Sequence, residues 1–300
     1  MENENNIFDE LMQDMLGVEE ESNNTTDENT TEEPKKHIVP ITEEIIHTAE
    51  NYSNENTLRF SASDWFEETK KSVVNLYGLG GIGSWTALGL TRAGFNVNGY
   101  DNDSVDSVNM AGQFYTKFDV GKLKVSAVNS NVRSFVQNAL FDTRNVNLYD
   151  TFTRILKENY YNTFAKHFID ILALDSITLR KHIVSKIRED NNMYTVNSLI
   201  IDARLAAEYM EIFAIPTKDK QKFEWYLNNC FFDSSEADAA TCSYKQTSHC
   251  AMIIGGVITG LCVNYICNKI VENENSPFDV RRLPKKTIIN LADFEIITED

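Results

Sequence analysis

Four glycines stand within six residues, at Gly78-Leu79-Gly80-Gly81-Ile82-Gly83, and a spaced polar set follows them: Asp101, Asp103, Asn109, Gln113 and Lys124. Glycines at a strand-to-helix turn let backbone approach a phosphate where a side chain would obstruct it. A helix opening at that turn offers unpaired N–H groups and the positive end of its dipole to an anion. Taken alone, Gly78-x-Gly80-x-x-Gly83 fits any dinucleotide-binding fold, and Asp101, eighteen residues past Gly83, also suits the ribose of NAD. The groups beyond Asp101 separate the chemistries. Lys124, at the opening of a further helix after Gly121, can reach phosphate oxygens as a point charge. The amides Asn109 and Gln113 can orient a phosphate chain, and a carboxylate can hold ribose or magnesium. A hydride-transfer site has little use for that set, so ATP is the expected nucleotide.

Strands and helices that alternate along the chain must bring these groups to one sheet edge. The strands expected are Val73 to Tyr77, Phe95 to Tyr100, Asn145 to Tyr149, His167 to Leu174 and Tyr194 to Ile201. The helices expected are Ile82 to Ala93, Lys122 to Phe135 and Thr178 to Arg188, and Glu208 to Ile215 and Lys286 to Asn290 read as further, antiparallel strands. The fold class is therefore α/β: a Rossmann-like, mostly parallel sheet with helices on both faces and an antiparallel C-terminal extension. A chain of 300 residues with 42% hydrophobic content can bury the core of one such domain. Asp202-Ala203-Arg204 follows the apolar strand ending at Ile201, at the edge where ligands of open α/β sheets sit. Arg204 either approaches phosphate or a substrate carboxylate, or pairs with Asp202 or Glu208. The aromatic group Phe223, Trp225, Tyr226, Phe231 and Phe232 reads as core.

Together the motifs resemble the ThiF/MoeB adenylyltransferases, the superfamily that includes ubiquitin-activating enzymes. The shared order is a Gly-x-Gly-Gly-x-Gly turn, Asp101-x-Asp103-x-Val105, Asn109 and Gln113, Gly121 with Lys124, then Asp175 at a strand end with Arg180 five residues on. The resemblance spans roughly residues 59 to 204. It implies that Gly78, Gly80, Gly81 and Gly83 cradle the nucleotide, that Asp101 bonds the ribose, that Asn109 and Lys124 hold phosphates, and that Asp175 coordinates Mg2+. It also implies attack by the C-terminal glycine carboxylate of a small protein or peptide on the α-phosphate of ATP, with pyrophosphate leaving. Relatives are similar in burying an apolar helix near their dimer contact, so a homodimer is expected.

The chain departs from that pattern at two cations. The family usually carries an arginine where Gly112 stands, and an Arg-Tyr-x-Arg element where Arg59-Phe60-Ser61-Ala62 keeps only Arg59. Losing such arginines beside a triphosphate costs on the order of 10³ in rate unless something substitutes. Lys117, Lys122 or Arg204 could substitute; otherwise the chain is a catalytically degenerate nucleotide-binding protein with a regulatory or scaffold role. An NAD-dependent oxidoreductase is a third reading, one that leaves Lys124 and Asp175 unexplained.

The five cysteines contain no C-x-x-C pair, although many relatives bind zinc through two of them, so no structural zinc is expected. No signal peptide is evident, and reduced thiols in a cytoplasmic setting are expected. Cys242 follows Glu236-Ala237-Asp238-Ala239-Ala240-Thr241 ahead of a helix, where it either accepts the activated acyl group as a thioester or packs as a small residue.

Charge divides the chain. Positions 1–55 hold sixteen acidic against two basic residues, so the remainder carries only −3 of the formal −17. Residues 1–40 are expected to be an acidic disordered tail and 41–300 the adenylyltransferase domain. The tail argues against nucleic acid as a partner. Within it, Ile7, Phe8, Leu11, Met12, Met15 and Leu16 recur at helical spacing, so Asn5 to Gly17 forms a short amphipathic helix for a protein partner or for the chain's own body. A second helix is expected from Ile41 to Tyr52. Ala251 to Cys267 is uncharged and contains Gly256-x-x-x-Gly260, yet at seventeen residues it reads as a buried core helix and not a membrane span.

Overall fold

The computed structural model describes residues 63–136, 138–161, 165–190, 198–231, 247–274 and 279–300. The expected helices at Asn5 to Gly17 and Ile41 to Tyr52, and the site candidates Arg59 and Cys242, lie outside the described residues.

Eight strands form one sheet in the order β3-β2-β1-β4-β5-β6-β7-β8. They are β1 (Ser72–Tyr77), β2 (Asn96–Asp101), β3 (Phe141–Asn145), β4 (His167–Leu172), β5 (Ser198–Ala206), β6 (Tyr209–Pro216), β7 (Lys286–Asn290) and β8 (Glu295–Glu299). Pairing is parallel from β3 through β5 and antiparallel from β5 through β8. This is the Rossmann-like sheet with an antiparallel extension that the alternating pattern predicts. Strands β1 and β4 sit at its centre and every residue of each is buried, as parallel strands covered on both faces require.

The helices divide between the two faces. On one lie α2 (Gly81–Arg92), α3 (Lys124–Phe135) and the long α7 (Ser248–Glu274), with Leu76, Val97 and Ile171 of the sheet beneath them. On the other lie α4 (Leu148–Tyr161), α5 (Ile177–Glu189) and α6 (Lys220–Asn229), packed on Tyr77, Tyr100 and Leu172. A short α1 (Asp64–Thr69) precedes β1.

Helix α7 is long and apolar enough to cross a membrane by length and composition. Cys250, Ile254, Ile258, Cys262 and Ile266 are nonetheless buried in the core it shares with α2. The close approach comes from other glycines than the Gly256-x-x-x-Gly260 pair. A Cβ on Gly255 would lie 3.1 Å from the Thr86 backbone nitrogen and one on Gly89 would lie 2.5 Å from Thr259 Oγ1, whereas Gly256 and Gly260 face open space.

One expected strand is corrected. Asn145 to Tyr149 is the end of β3 and the start of α4. Asn147 accepts the Tyr149 N–H at its side chain, 2.9 Å, and the Thr151 N–H at its carbonyl, 3.2 Å. Those bonds begin a helix whose Leu148, Phe152, Ile155 and Leu156 form one buried stripe. Helix α6 and strand β8 went unread in the sequence, and the strand expected from Tyr194 begins at Ser198 among the described residues.

Candidate nucleotide site

In a sheet ordered 3-2-1-4-5 the connections leave β1 and β4 in opposite directions, which opens a crevice at their carboxyl ends. The glycine turn leaves β1 there, and the loop bearing Asp175 leaves β4 beside it. Gly78 sits at φ +91, and a Cβ on it would lie 2.5 Å from the Ala173 carbonyl oxygen, so both conformation and space demand glycine. A Cβ on Gly83 would overlap the Gly78 carbonyl. Ala173 in turn donates its N–H to the Tyr77 carbonyl, 2.8 Å.

Gly80 occupies the N-cap position of α2, and no side chain caps that helix. The first N–H groups after it, from Gly81, Ile82 and Gly83, are therefore available to an anion. Gln113 lies over this turn, with Nε2 4.0 Å from where a Gly80 Cβ would stand. Its Oε1 is buried without a hydrogen-bond partner, which leaves an unmet acceptor on the residue beside the turn. The Trp85 indole N–H donates to the Gly112 carbonyl at 3.0 Å and the Phe114 N–H donates to Ser84 Oγ at 2.9 Å, and these bonds fix Gln113 on α2.

Asp101 ends β2, 8% exposed. Its two carboxylate oxygens accept the N–H groups of Leu79, 2.7 Å, and Asp103, 2.8 Å. Each oxygen keeps a further lone pair, the geometry a pair of ribose hydroxyls would use. Burial pushes this carboxyl up from its ordinary range, against the pull of Lys124 and the two backbone donors. Lys124 opens α3 and donates Nζ to Asp103 Oδ2 at 2.8 Å, while its backbone N–H donates to the Asp103 carbonyl at 2.9 Å. Asn109 is half-buried in the short turn Ser107–Ala111, where Oδ1 accepts the Asp106 N–H.

Asp175 stands exposed between β4 and α5, one residue ahead of Ser176, whose hydroxyl caps α5 at the Leu179 N–H. Mg2+ is commonly held by one or two carboxylates plus substrate phosphates, so a lone acid at this strand end fits the ion. Among the described residues no group of three or more His, Cys, Asp or Glu side chains could hold a metal by itself. The structure thus gathers the glycine turn, Asp101, Asp103, Gln113 and Lys124 into one contiguous cluster and sets Asp175 on the neighbouring strand end.

Two parts of this architecture escaped the sequence reading. Tyr115 is buried and donates its hydroxyl to the Leu79 carbonyl at 2.6 Å, pinning the glycine turn from above; its place two residues past Gln113 was the only available signal. The second is the Arg180 and Tyr226 side of a buried charge cluster behind the Asp175 loop, of which the sequence offers only the Asp202–Arg204 pairing. Arg180 donates to the Leu172 carbonyl at 2.8 Å, to the Leu174 carbonyl, and to Asp202, which is fully buried. Asp202 also accepts Arg204, 2.7 Å, and the Tyr226 hydroxyl, 2.8 Å.

The cations that could replace the absent arginines are mostly engaged. Arg204 holds Asp202, Glu211 and the Cys230 carbonyl, which resolves its open reading in favour of pairing, with Glu211 in place of Glu208. Lys122 pairs with Asp119 at 3.1 Å, and Lys117 lies over the Phe118 ring. The four cysteines among the described residues, Cys230, Cys250, Cys262 and Cys267, are buried thiols outside any disulfide, and burial pushes the Cys230 thiol up to about 11.

Sheet, crevice and glycine turn define a Rossmann-like nucleotide-binding protein. The chain belongs to the ThiF family, whose model matches residues 52–288, and that membership supports ATP-binding, adenylating chemistry at the level of the family. The ubiquitin-like modifier-activating enzyme 5 of Rattus norvegicus is 34% identical over 84 residues, 28% of this chain and 21% of that protein. The chain therefore matches only about a fifth of the length of that curated relative. Among solved structures, selenomethionine PaaA superposes with a TM-score of 0.55 at 18% identity, covering 89% of this chain and 86% of that one. The Escherichia coli MccB structure with ATP gives 0.54 at 15% identity, over 83% and 71%. MccB in complex with N-formylated MccA gives 0.56 at 14%, over 85% and 73%. At these identities the structures establish the likeness of fold.

Proposed function

We propose that this chain uses ATP and Mg2+ to adenylate the C-terminal carboxylate of a small protein or peptide. The observation that carries the reading is the continuous cluster of uncapped helix N-terminus, Asp101 and Lys124 at the β1/β4 crevice. A carboxylate oxygen of the partner attacks the α-phosphorus and forms a carboxylic–phosphoric anhydride. The bond from the α-phosphorus to the oxygen bridging it to the β-phosphorus breaks, and pyrophosphate leaves with that electron pair. Asp101 would accept the ribose hydroxyls, the N–H groups of Gly81 to Gly83 and Lys124 would hold phosphate oxygens, and Asp175 would hold Mg2+. The metal would supply neutralisation of the charge that gathers on phosphate. Holding nucleophile and phosphorus in line supplies most of such a rate enhancement, so little covalent work falls to the protein. A peptide or protein carboxylate is favoured as the acceptor because MccB has been solved with MccA, and a relative bears the name of a modifier-activating enzyme.

A second reading, nucleotide binding without turnover, is favoured by one observation: Gly112 stands where the family carries arginine, and Arg204 and Lys122 are already paired. Exchange of labelled pyrophosphate into ATP, run with candidate peptides and small proteins bearing C-terminal glycine, separates the two. Exchange that depends on the carboxylate supports adenylation. ATP binding with no exchange supports the second reading, and NAD binding in preference to ATP would overturn both.

We extend the proposal to a homodimer formed on the outward strip of α7, where Met252, Ile253, Gly256 and Gly260 are exposed on an uncharged stretch of helix. Gly256→Arg is expected to shift the sedimenting mass from twice the chain mass to once. A monomer in the parent protein would end the idea.

A further inference from the structure

The two acids of Asp101-Asn102-Asp103 are held in opposite ways. Asp101 is buried and both of its oxygens are bonded to backbone N–H groups, so it is part of the frame. The Asp103 side chain is 62% exposed, and its contact with Lys124 is a 2.8 Å ion pair. The lysine is the fixed partner of that pair. Its side chain is 11% exposed, its backbone N–H is bonded to the Asp103 carbonyl, and an antiparallel bridge joins Ser104 to Leu123 beside it. The Val105 N–H donates to the Lys122 carbonyl and the Gly121 N–H to the Val105 carbonyl, each at 2.8 Å, which ties the two segments together further. A confined ammonium therefore faces an acid that is free to swing into solvent.

We propose that Asp103 is an internal competitor of phosphate: its carboxylate holds the Lys124 ammonium in the free chain and must yield it when a nucleotide triphosphate binds. The inference rests on the reading of Lys124 as a phosphate ligand. Carboxylate and phosphate oxygens accept the same charge-assisted bond, and a triphosphate carries more charge than one acid. The pair therefore lowers nucleotide affinity by the fraction of time it occupies the lysine. It also keeps the ammonium on a side chain that is already largely withdrawn from solvent. An ion pair with one exposed partner is typically worth up to about 1 kcal/mol, which sets the expected change at roughly two- to fivefold.

The test is calorimetric binding of ATP, with and without Mg2+, to the full chain and to Asp103→Asn, Lys124→Ala and the double variant. Asp103→Asn should bind ATP roughly two- to fivefold more tightly in both conditions, Lys124→Ala should bind it more weakly, and Asp103→Asn should add less than about 1.5-fold in the Lys124→Ala background. Equal or weaker binding by Asp103→Asn overturns the competition. Weaker binding confined to the Mg2+ arm also overturns it, by making Asp103 a metal ligand. Unchanged ATP affinity in Lys124→Ala overturns the phosphate role of the lysine itself, a result distinct from the other two.

Discussion

Asp175→Ala is expected to keep ATP binding within a few-fold of the parent while Mg2+-dependent adenylation falls by a factor on the order of 10³. The separation follows from where the residue sits. The proposed nucleotide cradle consists of the turn after β1, Asp101 at the end of β2 and Lys124 at the start of α3, and none of these needs Asp175 for its own geometry. Asp175 is exposed on the β4–α5 loop, and a surface truncation of that kind commonly changes stability by less than about 0.5 kcal/mol. Calorimetry for binding and pyrophosphate exchange for turnover make the comparison. Turnover that survives the substitution would remove Asp175 from the chemistry.

Arg180→Ala should be the most destabilising single change in the described part of the site, by about 3 kcal/mol, since it leaves the buried Asp202 with Arg204 as its one remaining cation and strips Oδ1 of its donor. The same guanidinium satisfies the carbonyls of Leu172 and Leu174 on either side of Ala173, so two backbone acceptors also lose their donor. For a domain of this size that loss lowers the melting midpoint by roughly 10 °C. Burial alone would raise the Asp202 carboxyl, yet Arg180 and Arg204, with the Tyr226 hydroxyl, hold it below the usual carboxylate range. A depressed carboxylate stabilises the fold at pH above its unfolded value, and the gain is lost as pH falls through the folded one. Thermal melts of parent and variant across the acidic range should therefore converge at the low end. A variant that melts within 2–3 °C of the parent at neutral pH would refute the clamp.

The parallel half of the sheet was legible because β1 and β4 are short apolar runs flanked by glycine and polar turns, and because α2 and α5 follow them at once. Strand β3 was not, since only Phe141 of its five residues is buried and its signal is that of a half-wet edge. Helix α4 was hidden for a local reason, a helix start at Asn147 in place of the Gly or Pro that usually punctuates a strand. In the site, Asp101 and Lys124 could be placed from spacing because a known motif orders them along the chain. Tyr115 and the Arg180 and Tyr226 contacts of Asp202 could not, because they join positions 36, 22 and 24 apart in sequence, whereas the Asp202–Arg204 pairing spans only two. The pairing of Asp103 with Lys124 across 21 positions is of the same kind.

Ala173 meets Gly78 through its carbonyl, meets Tyr77 through its N–H, and would meet any Cβ placed on Gly83 at 3.4 Å with its own methyl. The floor of the crevice is thus main chain, the Ala173 methyl group and the end of the Leu174 side chain. How deep a guest molecule settles is decided by peptide planes that no rim substitution can retune, so variation among such proteins should collect around the mouth while the seat keeps its shape.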